Sequence, residues 1–350
     1  MKPTTPALLL RRRLLLGGSA AGSALALSRT LAMPAPAGPV AAPPPGDDRA
    51  FWFGFIGDTP YSRLEANALT GIFEAMTHEP LEFVLHVGDI KSSLESCDDE
   101  LLESRIALLD ECPHPLVLTP GDNEWTDCGR WRAPWQPDPR LERLEWLRRH
   151  AFGEAVSLGR KRMAVQQQGA YRAHPGELEE EPPRLPENLC WRVGSLQFCT
   201  LHVVGSDNGR SKAPDLEQAW LRRQQANGDW LNRTVQLAIA EKAKGLVIAL
   251  HANMRFEADR ADGWARMRSL VVAAAAAFDG PVLLLHGDTH HFRSDRLLLR
   301  SQGLANFRRV ECFGSPFSSS WVQIRWDPTL ARPGAGEESD PFQVSVRSLP

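Results

Sequence analysis

Five short acid- and histidine-bearing segments, each directly after an apolar run, constrain this chain more than any other feature. In order they are Gly57-Asp58-Thr59-Pro60-Tyr61, Gly88-Asp89-Ile90-Lys91, Gly121-Asp122-Asn123-Glu124, His251-Ala252-Asn253 and Gly287-Asp288-Thr289-His290-His291. The runs before them, FWFGFI, LEFVLHV, HPLVLT, GLVIAL and PVLLL, read as buried strands. A Gly-Asp at a strand's carboxyl end sets a carboxylate at the rim of a sheet, where open α/β folds build their sites. Helical spacing over 63–77 and 99–111 gives β-α-β-α-β between the first three segments, hence a parallel sheet. Carboxylates mixed with imidazoles suit divalent first-row metals such as Mn, Fe or Zn.

Beyond these segments the α/β alternation continues. Spacing predicts a short helix over 141–150, a long one over 216–244 stopped by Gly245, and another over 264–278. Residues 308–313 and 321–326 read as late antiparallel strands, and QVSVRSL as one edge strand. Residues 129–188 lack strong periodicity and read as an insertion that walls the site or as a peripheral excursion. Trp125, Trp131 and Trp135 are expected to pack in the core rather than to form a stacking wall. Glu124 is expected behind the acids, and Asn253 either near them or capping a turn.

Residues 1–37 read as a signal segment. Arg11-Arg12-Arg13-Leu14-Leu15 has the twin-arginine form, an apolar stretch covers 14–27, and Ala35-Pro36-Ala37 fits small-residue cleavage. The stretch is shorter than the ~20 residues of a membrane span, so no stable span is expected. A Pro/Ala-rich linker follows over 38–50, then the main domain over 51–326 and a tail over 327–350. The expected location is periplasmic or secreted, reached through the twin-arginine export machinery. Residues 1–37 carry five basic side chains and no acid, so 35 basic and 43 acidic residues remain after them, a formal charge of −8. Such a balance offers no track for nucleic acid.

An exported chain with six cysteines permits disulfides. Residues 189–193 and 196–200 flank Gly194-Ser195, a two-residue hairpin turn. That register sets Cys190 opposite Cys199 at a non-hydrogen-bonded position, where side chains approach most closely, and a Cys190–Cys199 disulfide is expected. Cys97, Cys112 and Cys128 lack the close pairing of metal-binding cysteines.

The order of the five segments resembles the calcineurin-like metallophosphoesterase family, whose pattern is Asp-x-His, Gly-Asp, Gly-Asn-His-Glu/Asp, a lone His after a strand, then Gly-His-x-His. The resemblance spans roughly residues 51–326. It implies a four-layer αββα sandwich with two divalent metal ions at the strand ends. Asp58 and His290 would ligate the first ion, Asp89 would bridge both, and Asp122, His251 and Asp288 would ligate the second. The implied activity is hydrolysis of a small-molecule phosphomonoester or phosphodiester by a hydroxide on the metals.

Three positions depart from that pattern. Pro60 replaces the first-motif His, and the neighbouring Tyr61 could supply a phenolic oxygen instead. Asp288 replaces a His but keeps a donor, so the carboxylate-rich set favours Mn or Fe over Zn. Asn123 replaces the His that contacts the scissile phosphate, so Asn123 is expected at the substrate with Lys91. Leaving-group protonation, typically worth ~10²–10⁴-fold, then falls to His291, with His86 and His202 as other candidates, or the substrates have good leaving groups. A catalytically weak metal- or ligand-binding protein that keeps the fold is the competing expectation. A hydrolase acting on another ester is a third.

Overall fold

The computed structural model describes residues 48–130, 133, 135–169, 185–258, 260–317, 319–331 and 340–349, so the expected signal segment lies outside the described residues. The first half runs β1 (Phe51–Ile56), α1 (Arg63–Met76), β2 (Leu81–His86), α2 (Asp99–Asp110), β3 (Leu116–Leu118), α3 (Arg140–Ala151), β4 (Gln166–Gln168), β5 (Leu185–Val193) and β6 (Leu196–Thr200). The second runs through a short turn, α4 (Gly205–Asn208), then α5 (Pro214–Ala240), β7 (Gly245–Ala249), α6 (Ala265–Ala277), β8 (Val282–His286), β9 (Arg293–Asp295), α7 (Leu297–Gln302), β10 (Phe307–Glu311), β11 (Ser320–Trp326) and β12 (Phe342–Ser348). One sheet has the order β12-β11-β1-β2-β3, the other β4-β5-β6-β7-β8-β10-β9. β1, β2 and β3 are parallel, as are β6, β7, β8 and β10, so two sets of strand ends point the same way as their helices return.

Strand alternation builds the layers. Val247, Ala249, Leu283 and Leu285 join the core that also holds Phe53, Phe83 and Phe198, while Leu246, Ile248, Val282 and Leu284 join Trp230, Val235 and Val271 of α5 and α6. The sheets touch through Phe53 and Phe198 edge to face at 5.5 Å, and through Phe83 and Trp191 at 5.5 Å. Leu69, Ile72, Phe73 and Met76 of α1 bury against the outer face of the first sheet. The result is the αββα sandwich that the resemblance implied. Truncating a ring such as Phe198, which is fully buried, would cost ~3–5 kcal/mol.

Three expectations need correction. Of the two late strands expected to be antiparallel, β11 is so to β1 and β12. β10 is antiparallel only to the short β9 and parallel to β8, because the chain returns through β9 and α7 before entering it. The long helix ends at Ala240, with Lys242 in the left-handed region (φ 54°), and Gly245 instead opens β7. The hairpin register is as expected, Cys190 facing Cys199, but both are free thiols. They lie in the helix-side core, where Gln197 Nε2 donates to Cys190 Sγ at 3.0 Å, and burial raises the Cys190 thiol to about 11 and Cys199 well above its ordinary value. They act as small apolar core residues. The disulfide instead joins Cys97 and Cys128, whose Cα atoms are 5.8 Å apart.

The region 129–188 contributes α3 and β4, and β5 starts at Leu185. QVSVRSL is an edge strand, β12, antiparallel to β11. Among the described residues no helix is long and apolar enough to cross a membrane.

Candidate metal centre

All five motif loops leave the carboxyl ends of parallel strands and meet where the two sheets adjoin. Their main chains are tied together: Asp58 N–H donates to Gly88 O at 2.9 Å, and Gly287 N–H to His251 O at 2.9 Å. Two of the Gly-Asp glycines make room for an acid of another motif. A side chain at Gly121 would collide with the Asp89 carboxylate, and one at Gly287 with that of Asp58. Asp58 (φ 52°), Asp89 (57°), Asp288 (80°) and His290 (64°) all hold left-handed backbone. Such conformations cost energy for non-glycine residues and cluster at functional sites.

Two donor groups form there, Asp58 with Asp89 and His251, and Asp122 with His251 and Asp288, the atoms of each within 4.8 Å of one another. His251 Nε2 lies 3.0 Å from Asp122 Oδ1, 3.5 Å from Asp89 Oδ1 and 3.9 Å from Asp288 Oδ1. Its Nδ1–H donates to Val87 O at 2.8 Å, which fixes the ring and turns Nε2 towards the acids. The single Nε2 can serve only one ion, and it is nearest the Asp122 group. On the other side, His290 Nδ1–H donates to Ser315 O at 2.6 Å and Nε2 lies 3.5 Å from Asp58 Oδ1. Asp89 faces both ways: Oδ1 accepts from Asn123 N–H at 2.9 Å, and Oδ2 accepts from the Tyr61 hydroxyl at 2.7 Å.

The charge does not balance without a cation. Asp58, Asp89 and Asp122 are buried, and His251 is the imidazole set directly among them. Burial, helped by the Asp288 charge, raises Asp58 to about 8, and burial raises Asp89 well above the carboxylate range. Asp288 is raised to about 6, again mainly by burial. Burial opposes the charge on His251, yet Asp89, the Asp122 hydrogen bond and Asp58 hold its pKa well up. Burial also works against Asp122, but hydrogen bonds from His251 and Ser206 outweigh it and keep this carboxyl low. Protons thus stand in for positive charge, and a divalent ion would displace them. This oxygen-rich, imidazole-bearing set fits two divalent first-row ions.

The other expected residues fall into place around it. The Tyr61 hydroxyl sits between Asp89, His290 Nε2 (3.2 Å) and Asn123 Nδ2 (3.1 Å), so a phenolic oxygen lies at the edge of the first donor group. Its backbone is held by Glu65, whose other oxygen accepts from Ser315, so the start of α1 anchors both Tyr61 and the carbonyl that orients His290. Glu124 is fully buried, and its Oε1 accepts from Asp89 N–H (2.8 Å), Ile90 N–H (3.4 Å) and Gly121 N–H (3.1 Å). Asn253 does both things expected of it, donating its N–H to Asp288 (2.9 Å) and capping Arg255 N–H (3.1 Å).

Other assignments change. Lys91 is fully buried, and its ammonium donates to Ser92 O at 2.8 Å, so it sits beneath the loops rather than facing a substrate. Both hydrogens of the Asn123 amide are committed, to Tyr61 and to Lys91 O (3.1 Å), which makes Asn123 a positioning residue for the phenol. His86 is a buried brace: Nε2–H donates to Thr59 O (2.9 Å), Nδ1 accepts from Gly88 N–H (3.1 Å), and burial lowers its pKa to about 4. His202 is buried against Glu187 and Trp125. His291 is exposed, beside Phe317, its Nδ1 on its own loop's Thr289 O. Trp125 is core, Trp135 is 85% exposed, and Trp131 lies outside the described residues.

Two further loops complete the site without having been singled out from sequence. Ser206, after β6, donates to Asp122 Oδ2 at 2.6 Å, and Gly205 packs between Asp122 and Asp288. Gly314-Ser315, after β10, supports Asp58 and His290, with Ser315 N–H on Asp58 O at 2.9 Å. Their signal was present: GSDNG follows the apolar run TLHVV, the same strand-end signature.

Solved structures similar to the chain include a dimetal phosphatase from Danio rerio, 14% identical with a TM-score of 0.45, spanning 84% of this chain and 98% of that one. A purple acid phosphatase from yellow lupin seeds is 11% identical with a TM-score of 0.39, spanning 88% and 55%. A phosphatase from Mycoplasma pneumoniae is 11% identical with a TM-score of 0.42, spanning 86% and 94%. No family model and no curated protein matches the chain. The chemistry that follows therefore rests on this chain's own residues.

Proposed function

We propose that the chain is a metal-dependent phosphoesterase acting on a small phosphomonoester or phosphodiester. The observation that carries this reading is the cluster of buried Asp58, Asp89, Asp122 and His251 with half-buried Asp288, where carboxylates outnumber cations. Asp58, His290, Tyr61 and Asp89 would hold one ion, and Asp122, His251 and Asp288, with Asp89 shared, the second. Two such ions, when bound, supply Lewis acidity to a phosphoryl oxygen and lower the pKa of water. The donor set favours Mn or Fe.

The protein's part is orientation. His251 and His290 each spend Nδ1 on a carbonyl and present Nε2 inward. Asn123 fixes the Tyr61 phenol and, through its N–H, one oxygen of Asp89. With both Asn123 amide hydrogens committed and Lys91 buried, the site favours substrates whose leaving group departs with little protonation. The competing reading, a binding protein that retains the fold, draws on Pro60 and on the committed Asn123.

We also propose that the chain is exported, on the strength of the twin-arginine form at residues 11–15. The Cys97–Cys128 disulfide supports an oxidising compartment.

The test combines metal analysis with turnover. Protein reconstituted with Mn or Fe should carry about two ions per chain and hydrolyse p-nitrophenyl phosphate or its diester. Asp89→Asn should lose metal and at least ~10²-fold in kcat, beyond the loss usual for a supporting residue. Two bound ions with no turnover on either ester would favour the binding protein.

A further inference from the structure

Beside the metal centre lies a cleft of about 270 Å³ lined by Thr126, Asp127, Gly129, Arg130, Arg140, Ser206, Gly209 and Arg210. Three arginines, Arg130, Arg140 and Arg210, and one acid, Asp127, line it, on a chain whose overall formal charge is −3. They arrive from separate elements: Arg130 closes the turn after Asp122, Arg140 opens α3, and Arg210 follows the α4 turn. Asp127 is already occupied, by Arg130 at 2.9 Å and by the Ser206 hydroxyl at 3.1 Å. Arg140 is held in a fork by Asp138 (2.9 and 2.6 Å), which leaves the rest of its guanidinium edge to the cleft. Arg210 is exposed and lies over the Trp220 ring at 5.4 Å, and no carboxylate among the described residues pairs with it.

The cleft is coupled to the centre by a single hydroxyl. Ser206 lines it and donates to Asp122 Oδ2 at 2.6 Å, so one side chain separates the arginines from the second donor group. The neighbouring Asp127 N–H is bonded to Asp122 O at 3.0 Å. An anion in the cleft would therefore lie within a few bonds' length of a phosphoryl group at the metals. Guanidinium forks suit phosphate and carboxylate oxygens, bidentately where the geometry allows. The volume falls just under the roughly 300–1,000 Å³ of pockets that take drug-sized ligands, so it suits a small charged group rather than a base or a peptide.

We infer that this cleft receives a second oxyanion of the substrate, so that the favoured phosphoester carries another phosphate, or a carboxylate, close to the scissile one. The inference rests on the phosphoesterase reading and deepens it. Arg210 is the principal specificity residue, with Arg140 and Arg130 completing the anion's shell, and Ser206 sets the distance between the two anionic groups.

Two measurements on the full chain test it. In the metal-free protein no bound ion competes for the anion, so calorimetric titration with inorganic phosphate reads the cleft without the metals. Binding that weakens at least ~10-fold in Arg210→Gln, and weakens with added salt, supports the inference. Binding equal in wild type and Arg210→Gln overturns it. In Mn-loaded protein, kcat/KM is compared for phenyl phosphate, 3-carboxyphenyl phosphate and 1,3-phenylene bisphosphate. The bisphosphate should exceed phenyl phosphate by at least ~10-fold, chiefly in KM, with that ratio falling towards one in Arg210→Gln and Arg140→Gln. The carboxyphenyl substrate tells whether any oxyanion suffices or phosphate is required. Turnover of phenyl phosphate with a ratio near one overturns the inference and leaves the phosphoesterase reading standing. No turnover of these three or of either p-nitrophenyl ester removes that reading, and the inference with it.

Discussion

Two buried clusters in this molecule contain the same kinds of group and have opposite characters. At the strand ends, Asp58, Asp89, Asp122 and Asp288 surround His251. Within the second sheet's side of the core, Glu187 accepts both nitrogens of an Arg148 fork (3.0 and 2.7 Å) and the Nδ1–H of His202 (2.7 Å), with Arg223 close enough to act on it electrostatically. Burial works against Glu187 as it does against Asp58. Arg148 and His202 outweigh it and hold Glu187 well below the carboxylate range, whereas at Asp58 burial and the Asp288 charge outweigh His251, and the carboxyl is raised to about 8. The histidines diverge in the same way, His202 lowered by burial to about 4 and His251 raised by its acids. A buried charge that is matched within the chain is architecture. One left unmatched marks a place for a cation from outside.

The largest effect should come from removing charge from the matched cluster. Glu187→Ala leaves Arg148 and Arg223 buried without their carboxylate and should cost ~3–5 kcal/mol in urea unfolding. In metal-free protein Asp58→Asn should stabilise, since it deletes one of several repelling acids. If both variants lose comparable stability without metal, the two clusters are alike and the comparison fails.

Next comes the Cys97–Cys128 disulfide, which joins the chain beyond the Asp89 loop to the turn beyond Asp122. By loop-closure entropy, Cys97→Ser with Cys128→Ser should lose ~2–4 kcal/mol, read as a lower urea midpoint. Metal affinity should fall with it, because the Asn123 and Glu124 carbonyls lie beside these sulfurs at 3.9 and 3.3 Å. Unchanged metal affinity would show that the two loops are held by Glu124 alone.

The smallest effect is a tilt with pH. Asp58 and Asp288 bind protons more tightly folded than unfolded, so their contribution to metal-free stability falls as pH rises from about 4 through about 8 and about 6. His202 is the reverse: its folded pKa is lowered to about 4, and its contribution falls as pH drops from 6.5 towards that value. Melting of metal-free protein between pH 5 and 8 should therefore respond oppositely to Asp58→Asn and to His202→Gln. Asp58→Asn should gain at least ~2 °C on wild type at the upper end. Metal loading should remove the Asp58 share, since bound ions keep the carboxylates ionised.

Much of this was legible in the sequence where period and composition act locally. The helices at 63–77, 99–111, 141–150 and 264–278 were placed to within about two residues, because caps and apolar spacing are local signals. The motif acids were legible because each follows a strand. Pairing partners were not. Nothing local says that β10 runs parallel to β8, or that Cys97 meets Cys128 across 31 positions. The Cys190–Cys199 register could be read, but not the packing against Trp230, Leu231 and Val235 of α5 that buries the thiols as core residues. Charge matching was equally hidden: His202 looked like a proton donor until Glu187, fifteen residues earlier, was seen bonded to it.

Glu124 carries a last consequence. One of its oxygens gathers three main-chain amides from the loops that bear Asp89 and Asp122. Spacing between those two acids is thus set by peptide groups, which every side-chain replacement leaves in place. A scaffold fastened in this manner is indifferent to which donor it displays. Donor exchange at position 122 becomes a question of ion preference alone, and one chain can be retuned from metal to metal without learning a new way to fold.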